Sequence, residues 1–275
     1  MVPELKLQAW VEAGLAAYKA SPFLIEQIFY DVSQVGQPTL TGPGVLADTS
    51  KRWLPQEYVG ATLRYGEVLF PVTGNTETEL TLEGDPSLVT TSLERGYQIV
   101  PAAVAGLSEL LQTQTFTVTT SFSQVPTQFP AFTIRLEKDV QAEAYLGESL
   151  ESYTTLQGLT VDANITQVTG SYLLSIWTIN RLECLWLYAF LQNLAVRSMQ
   201  MFASWGFYDV SLQGSDLDPS MQYLAERAYT RHLLLTATRQ EQAISTREVE
   251  KITALYWDIL VRYQRFDLLF PQPLP

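Results

Sequence analysis

The chain has 275 residues, of which 47% are hydrophobic, 12% aromatic and 17% charged, and its formal net charge is −12 at pH 7. This length allows one large or two modest domains with real cores, and the composition excludes a disordered tail. The acidic balance is opposite to the positive surface that binds nucleic acid by counterion release, so it disfavours tight or sequence-specific DNA binding.

High aromatic content with few charges has two explanations. A surface that partners cover needs fewer charged groups, because solvent does not reach it. A large sheet-rich core gives the same composition, and composition alone does not separate the two.

The single cysteine, Cys184, excludes an intramolecular disulfide and gives no indication of secretion. The most apolar run, Cys184–Val196, lies between Glu183 and Arg197. With 13 residues it is shorter than the roughly 20 that span a bilayer, so it predicts a buried helix. The N-terminus also lacks an apolar run of the signal-peptide type. We therefore expect a soluble protein, without membrane association, that is made in a reducing cytoplasm.

The N-terminal part of the chain changes character near residue 37. Glu4–Lys19 has apolar residues at helical spacing, and Phe23–Tyr30 fits either a helix or a strand. From Gln37 to Pro101, short alternating runs are separated by Gly, Pro, Asn and Asp, which is typical of a small barrel or sandwich. The predicted strands are Tyr58–Arg64, Val68–Val72, Glu79–Leu82 and Tyr97–Val100, with turns at Thr41–Gly44, Gly74–Thr76 and Gly84–Ser87.

The second half of the chain mixes strands and helices. The strongest element is a helix from Arg181 to Trp205, with Asn180 as its cap and Gly206 as its stop. Apolar residues cover most of its circumference, which predicts burial on several sides. Around it the pattern predicts a helix at Ala103–Gln112, polar helix-tolerant sequence at Glu137–Leu146, and strands at Phe116–Phe122, Thr133–Leu136, Leu159–Thr169, Tyr172–Thr178, Tyr208–Leu212 and Tyr229–Ala237.

The C-terminal residues predict one more helix and a tail. Ser245 and Glu248 form a capping-box pattern that opens a helix with an apolar stripe, and Phe270–Pro275 is an extended tail. The predicted fold class is therefore α+β, in four segments. These are an N-terminal helical arm (1–36), a small β-rich module (37–102), an α+β ring-forming domain with one long buried helix (103–245), and the C-terminal helix and tail (246–275).

Residues that carry catalytic chemistry are few. His232 and Cys184 are the only residues of their types, which excludes multi-histidine and multi-cysteine metal sites. His232 lies in a predicted strand and is interpreted as a packed or interfacial histidine. Cys184 lies in the apolar helix and is interpreted as an inert core thiol. Asp209, Asp216 and Asp218 surround a predicted turn but lack EF-hand spacing. The sequence therefore predicts no catalytic residue, metal site or cofactor, and no enzyme.

One segment resembles a small β-rich module that recurs in bacteriophage virion proteins. The resemblance is carried by Asp48-Thr-Ser-Lys-Arg-Trp53, by Tyr58-Val-Gly-Ala-Thr-Leu63 and by Val72-Thr-Gly-Asn-Thr-Glu-Thr-Glu-Leu-Thr-Leu82. It implies that Trp53 fills a little barrel while Asn75 and Thr76 turn the chain. The Gly84–Ser87 extension departs from the usual form.

The second half, about Phe116 to Ala243, resembles neck and tail-terminator subunits of tailed bacteriophages in its order of elements. The resemblance implies a structural subunit of a closed ring, sixfold or twelvefold, around the DNA channel. Expected partners are further copies of the chain, the tail tube, the sheath and the connector or portal side, and the expected location is the virion, after assembly in the bacterial cytoplasm. Two other virion or surface roles stay open: baseplate or tail-fibre attachment, and glycan binding by exposed aromatic residues.

Overall fold

The computed structural model describes residues 3–89, 96–120, 128–141, 151–154, 160–215, 218–220 and 228–246. Within these ranges the chain is a mixture of α-helices and β-strands, so the predicted α+β class is confirmed. The helices are α1 (Pro3–Ala20), α2 (Pro22–Ile28), α3 (Ala102–Thr113), α4 (Arg181–Arg197) and α5 (Met199–Ser204). The strands are β1 (Val35–Gly36), β2 (Leu40–Gly42), β3 (Val45–Ala47), β4 (Thr62–Tyr65), β5 (Val68–Asn75), β6 (Glu79–Leu82), β7 (Tyr97–Val100), β8 (Thr117–Thr119), β9 (Ala131–Gln141), β10 (Glu151–Thr154), β11 (Thr160–Thr178), β12 (Phe207–Gly214), β13 (Asp218–Ser220) and β14 (Ala228–Thr246).

The chain divides into two compact units. The first comprises Met1–Arg135, Tyr172–Met199 and Leu212–Leu235. The second comprises Leu136–Ser171, Gln200–Ser211 and Thr236–Pro275. The division of the chain into four domains, at the bounds given in the sequence analysis, stays a prediction.

The first sheet lies entirely in the first unit and has the order β1-β7-β4-β5-β6-β3-β2. Each pair of neighbouring strands is antiparallel, and the register shifts within β5 between Val72 and Gly74. Side chains from both halves of the sheet share one buried cluster, so the sheet curves over its own core. The cluster contains Leu46, Trp53, Tyr58, Ala61, Leu63, Tyr65, Phe70, Val72, Leu80, Leu82, Tyr97 and Ile99.

Two strands of this sheet coincide with the sequence prediction, and one begins later than predicted. Glu79–Leu82 and Tyr97–Val100 are strands as predicted. The strand predicted from Tyr58 begins only at Thr62, because residues 55–60 form turns with positive φ at Gln56 and Gly60. Gly74 and Asn75, predicted to lie in a turn, are the last residues of β5.

The second sheet has the path β12-β14-β11-β9-β8, with β10 paired to β11 and β13 to β14. Leu159–Thr169 and Tyr172–Thr178 were predicted as separate strands, but β11 is one strand of 19 residues. The predicted helix-tolerant stretch begins in β9, which extends to Gln141. Pairing with neighbouring strands outweighs local composition at both places.

The long helix predicted from Arg181 to Trp205 is two helices, with the break at Ser198. Asn180 caps α4 by accepting a hydrogen bond from the backbone N–H of Leu182 at 2.9 Å, as predicted. Ser198 ends α4, and its Oγ accepts a 2.8 Å hydrogen bond from Nε1 of the buried Trp10. Gly206, the predicted stop, has a positive φ of 84° after α5.

The prediction that this helix is buried on several sides is wrong for α4. Leu182 and Val196 are exposed, and Leu185 and Trp186 are only half-buried. The buried residues lie at helical spacing along one face of α4, so the helix is amphipathic in its packing. They are Cys184, Leu187, Tyr188, Phe190, Leu191, Leu194 and Ala195.

The remaining helices mostly follow the sequence prediction. Glu4–Lys19 lies within α1, and Ala103–Gln112 lies within α3. The ambiguous Phe23–Tyr30 forms a helix in its first part, α2. The helix and tail predicted after Thr246 lie outside the described residues, and Ser245, the predicted cap, belongs to strand β14. Among the described helices, none is long and apolar enough to cross a membrane.

Candidate functional site

The two single-copy residues, Cys184 and His232, both lie in packed surroundings. Cys184 is fully buried, and this burial raises the pKa of its thiol to about 11, so the sulfur stays protonated. His232 is half-buried on β14, and its Nδ1 lies 2.8 Å from Oγ of Ser175 on β11. Ser175 is itself buried, so this pair satisfies polar atoms inside the sheet.

The three aspartates near the predicted turn are not brought together by any described contact. Asp209 lies in β12 with a positive φ of 49° and is exposed. Asp218 belongs to β13, and Asp216 lies outside the described residues. Among described residues, no group of three or more histidine, cysteine, aspartate or glutamate side chains is placed to hold a metal ion.

The residues that carry the resemblance to the phage module make buried contacts within the first sheet and its loops. Trp53 is buried in the core cluster, where it meets Tyr58 edge to face with ring centroids 6.0 Å apart, and its Nε1 donates to the carbonyl of Ser33 at 3.0 Å. Asp48 is almost fully buried and accepts hydrogen bonds from Tyr97 Oη at 2.7 Å and from Ser50 Oγ at 2.6 Å. Burial opposes ionisation of Asp48, but these hydrogen bonds outweigh it and lower its pKa.

Asn75 fixes the loop that precedes β4. Its Oδ1 accepts from the backbone N–H of Tyr58 at 2.9 Å, and its Nδ2 donates to the carbonyls of Leu54 at 2.8 Å and Thr76 at 3.0 Å. Thr76 Oγ1 accepts from the backbone N–H of Glu79 at 3.2 Å and closes the turn into β6. Trp53 therefore lies in the core, as expected, whereas Asn75 ends β5 and the chain turns at residues 76–78.

The outer face of the same sheet, near α2, carries an open cleft of about 590 Å³. Val35, Gln98 and Arg64 form its floor, because the register places them side by side across β1, β7 and β4. One wall comes from α2 and the residues that follow it, and Arg197 at the end of α4 closes one side. The wall residues are Phe23, Glu26, Gln27 and Tyr30.

The cleft combines aromatic surface with one cation that has no acidic partner among the described residues. Phe23 and Tyr30 are 63% and 52% exposed, which is unusual for large aromatic side chains. Arg64 is neutralised by Glu26, with a 3.0 Å ion pair, and also donates to Gln98 Oε1 at 3.2 Å. Arg197 hydrogen-bonds only to the neutral side chain of Gln27 within the described contacts. The cleft therefore offers two aromatic rings, two amides and one available positive charge.

The sequence gives little indication of this cleft. Arg64 and Gln98 look like ordinary outward-facing strand residues, and Arg197 looks like the polar boundary of an apolar helix. Only the sheet register and the packing of α2 bring these residues together. The spacing of Phe23, Glu26, Gln27 and Tyr30, which places them on one side of a helical segment, was the one available signal.

Comparison of the sequence with models of known protein families found no match. A search of curated proteins also found no match.

Proposed function

We propose that this chain is a structural subunit of the neck or tail of a tailed bacteriophage, as a tail-terminator, collar or head–tail joining protein. It acts by associating with further copies of itself and by docking to the tail tube, the sheath and the connector, without catalysis. The observation that carries this proposal is the open cleft with exposed Phe23 and Tyr30 beside Arg197. Aromatic and arginine side chains dominate the binding energy of protein–protein interfaces.

In the first sheet, the residues that carry the resemblance and the residues that line the cleft lie on opposite sides, and this separation supports a docking role. Asp48, Trp53 and Asn75, which carry the resemblance to phage virion modules, all make contacts inside the folded module. The cleft residues lie on the opposite, outward side of the same sheet. The likeness therefore concerns the scaffold, and the outer surface is available for contacts that differ from one virion protein to the next.

Ring symmetry explains why the chain would need to bind further copies of itself. In a closed ring every subunit makes the same head-to-tail contacts with two neighbours, so it needs two different complementary surfaces. The net charge of −12 gives the wall of such a ring little attraction for DNA that passes through its channel. We place the assembled protein in the virion, after assembly in the bacterial cytoplasm.

Mass photometry and negative-stain electron microscopy of the purified full chain test this proposal. We expect closed rings, and we expect the substitutions Phe23→Ser and Tyr30→Ser together to shift the population to smaller species. Leu88→Ser is the matched control, because Leu88 is 77% exposed and does not line the cleft. A wild-type chain that stays a 30.9 kDa species at micromolar concentration would contradict the proposal.

A further inference from the structure

We infer that the cleft between α2 and the first sheet is the receptor for residues 266–275 of a second copy of the chain. This inference rests on the proposed self-association and names the contact that produces it. The segment, Phe266-Asp-Leu-Leu-Phe-Pro-Gln-Pro-Leu-Pro275, lies outside the described residues, so its part in the argument comes from its sequence.

The surface of the cleft suits a short extended segment. The cleft is open and has a volume of about 590 Å³. Its exposed rings, Phe23 and Tyr30, stand on the same wall. Gln27 and Gln98 supply amide groups that can hydrogen-bond to a backbone lying between them. Grooves lined with aromatic rings are the common receptors of proline-rich segments.

The sequence of the segment matches this receptor. Pro271, Pro273 and Pro275 alternate with other residues, and proline fixes φ near the value of a polyproline II helix. Prolines restrict the conformations of a segment before it binds, so such a segment loses less conformational entropy on binding. No other stretch outside the described residues combines three prolines with aromatic residues.

The charges of the cleft and of residues 266–275 also favour binding between them. Asp267 is the only charged side chain in residues 266–275. Arg197 is the one cleft arginine without a carboxylate partner among the described residues, since Glu26 already pairs with Arg64. One acid in the segment and one available cation in the cleft are complementary, and the rest of both surfaces is uncharged or internally paired.

The occupant comes from a second copy because head-to-tail association needs two unlike surfaces. The cleft is one such surface and the segment is the other, so each subunit can give a segment to one neighbour and receive one from the next. A segment that filled the cleft of its own chain would use up both surfaces and leave nothing to join subunits.

Complementation between two full-length variants tests the inference. The cleft variant carries Phe23→Ala and Arg197→Glu, and the segment variant carries Pro271→Ser, Pro273→Ser and Asp267→Lys. All the cleft positions changed are exposed, and circular dichroism checks that both variants are folded. We expect each variant alone to be monomeric by mass photometry. Mixed together, they should form heterodimers of about twice 30.9 kDa, because one intact segment then meets one intact cleft.

A second arm uses a fluorescein-labelled peptide of residues 262–275. We expect it to bind the segment variant and to bind the Arg197→Glu form of that variant about tenfold more weakly. Val196→Gln in the same background is the matched control, since Val196 is exposed on α4 but does not line the cleft. Equal binding to all three proteins would overturn the inference.

The outcomes also separate this inference from the proposed function. If the wild type forms rings and the segment variant forms them equally well, the inference is overturned and the proposed function stands. If the wild type and the mixture are both monomeric while the peptide binds with dependence on Arg197, the segment occupies the cleft of its own chain. That result overturns the second-copy assignment and the ring together.

Discussion

Asp48 is a carboxylate that has almost no contact with solvent and yet stays charged in the folded protein. Tyr97 and Ser50 donate hydrogen bonds to it, and these lower its pKa from 3.8 in spite of burial. A carboxyl group whose pKa falls on folding stabilises the folded state above its unfolded pKa, and this contribution is lost as the pH falls through the folded pKa.

We therefore expect Asp48→Asn to lower the free energy of unfolding at pH 7 by about 1–3 kcal/mol. The difference from the wild type should shrink as the pH falls below 3.8, because the unfolded chain then binds a proton at Asp48 while the folded chain does so only at lower pH. Urea unfolding followed by tryptophan fluorescence at several pH values measures both quantities. A difference that is the same at pH 7 and pH 2.5 would contradict the assigned role of the charge.

Asp85 provides the matched control for Asp48. Its carboxylate bonds to the backbone N–H and Oγ of Ser87, just as that of Asp48 bonds to Ser50, but no buried tyrosine hydroxyl is among its described contacts. Asp85→Asn should change the free energy of unfolding by less than about 1 kcal/mol.

Asn75 shows the same dependence on specific hydrogen bonds. Asn75→Asp keeps the shape of the side chain but turns the donor Nδ2 into an acceptor that faces the carbonyls of Leu54 and Thr76. We expect a loss of about 3–5 kcal/mol at pH 7, as for an uncompensated buried charge, measured by urea unfolding. Asn180→Asp is the control, because the cap needs only an acceptor there; a comparable loss at Asn180 would show that the effect is not specific to Asn75.

At the scale of elements, sequence patterns predict the helices and strands that have strong periodicity. They do not predict features that depend on contacts between residues far apart in the chain. The alternation in Glu79–Leu82 is visible in the sequence, and so is the capping residue Asn180. The break at Ser198 is not visible in the sequence, and the side chain at this position accepts a hydrogen bond from Trp10, which lies 188 positions away in the chain. The same holds for the cleft, whose floor exists only once three strands have taken their register.

The contact between α1 and α4 leads us to predict the effect of substituting Gly14. Glycine inside a helix normally costs about 1 kcal/mol relative to alanine. A Cβ at Gly14, however, would lie 2.3 Å from Cδ2 of the buried Leu194. We expect Gly14→Ala to destabilise the protein by about 1–3 kcal/mol, as an overpacked core does.

A double-mutant cycle tests this explanation by thermal unfolding. In a Leu194→Ala background the added methyl group no longer collides, so Gly14→Ala should there be neutral or stabilising by up to about 1 kcal/mol. Ala17→Gly, at an exposed position of the same helix, measures the intrinsic helix preference alone. If Gly14→Ala destabilised both backgrounds equally, the contact with Leu194 would not be the cause.

At the scale of the whole molecule, the distribution of charge bears on the proposed position beside a DNA path. The net charge is −12, and two arginines of β14, Arg231 and Arg239, are engaged with protein groups. Arg239 forms a two-bond ion pair with Asp139 at 2.9 and 3.1 Å. Arg231 lies over the ring of Tyr188, 3.8 Å from its centroid, and donates to the carbonyl of Ser215.

We therefore expect weak binding to duplex DNA, since phosphate contacts need lysine and arginine side chains whose charge is available. A gel-shift experiment at about 150 mM salt should show no sub-micromolar retention of duplex DNA. The double variant Glu26→Gln, Asp139→Asn removes the two carboxylates that neutralise Arg64 and Arg239, and it should retain DNA more strongly than the wild type. Sub-micromolar retention by the wild type would mean that its positive charges are segregated on one surface, and an acidic channel wall would then be excluded.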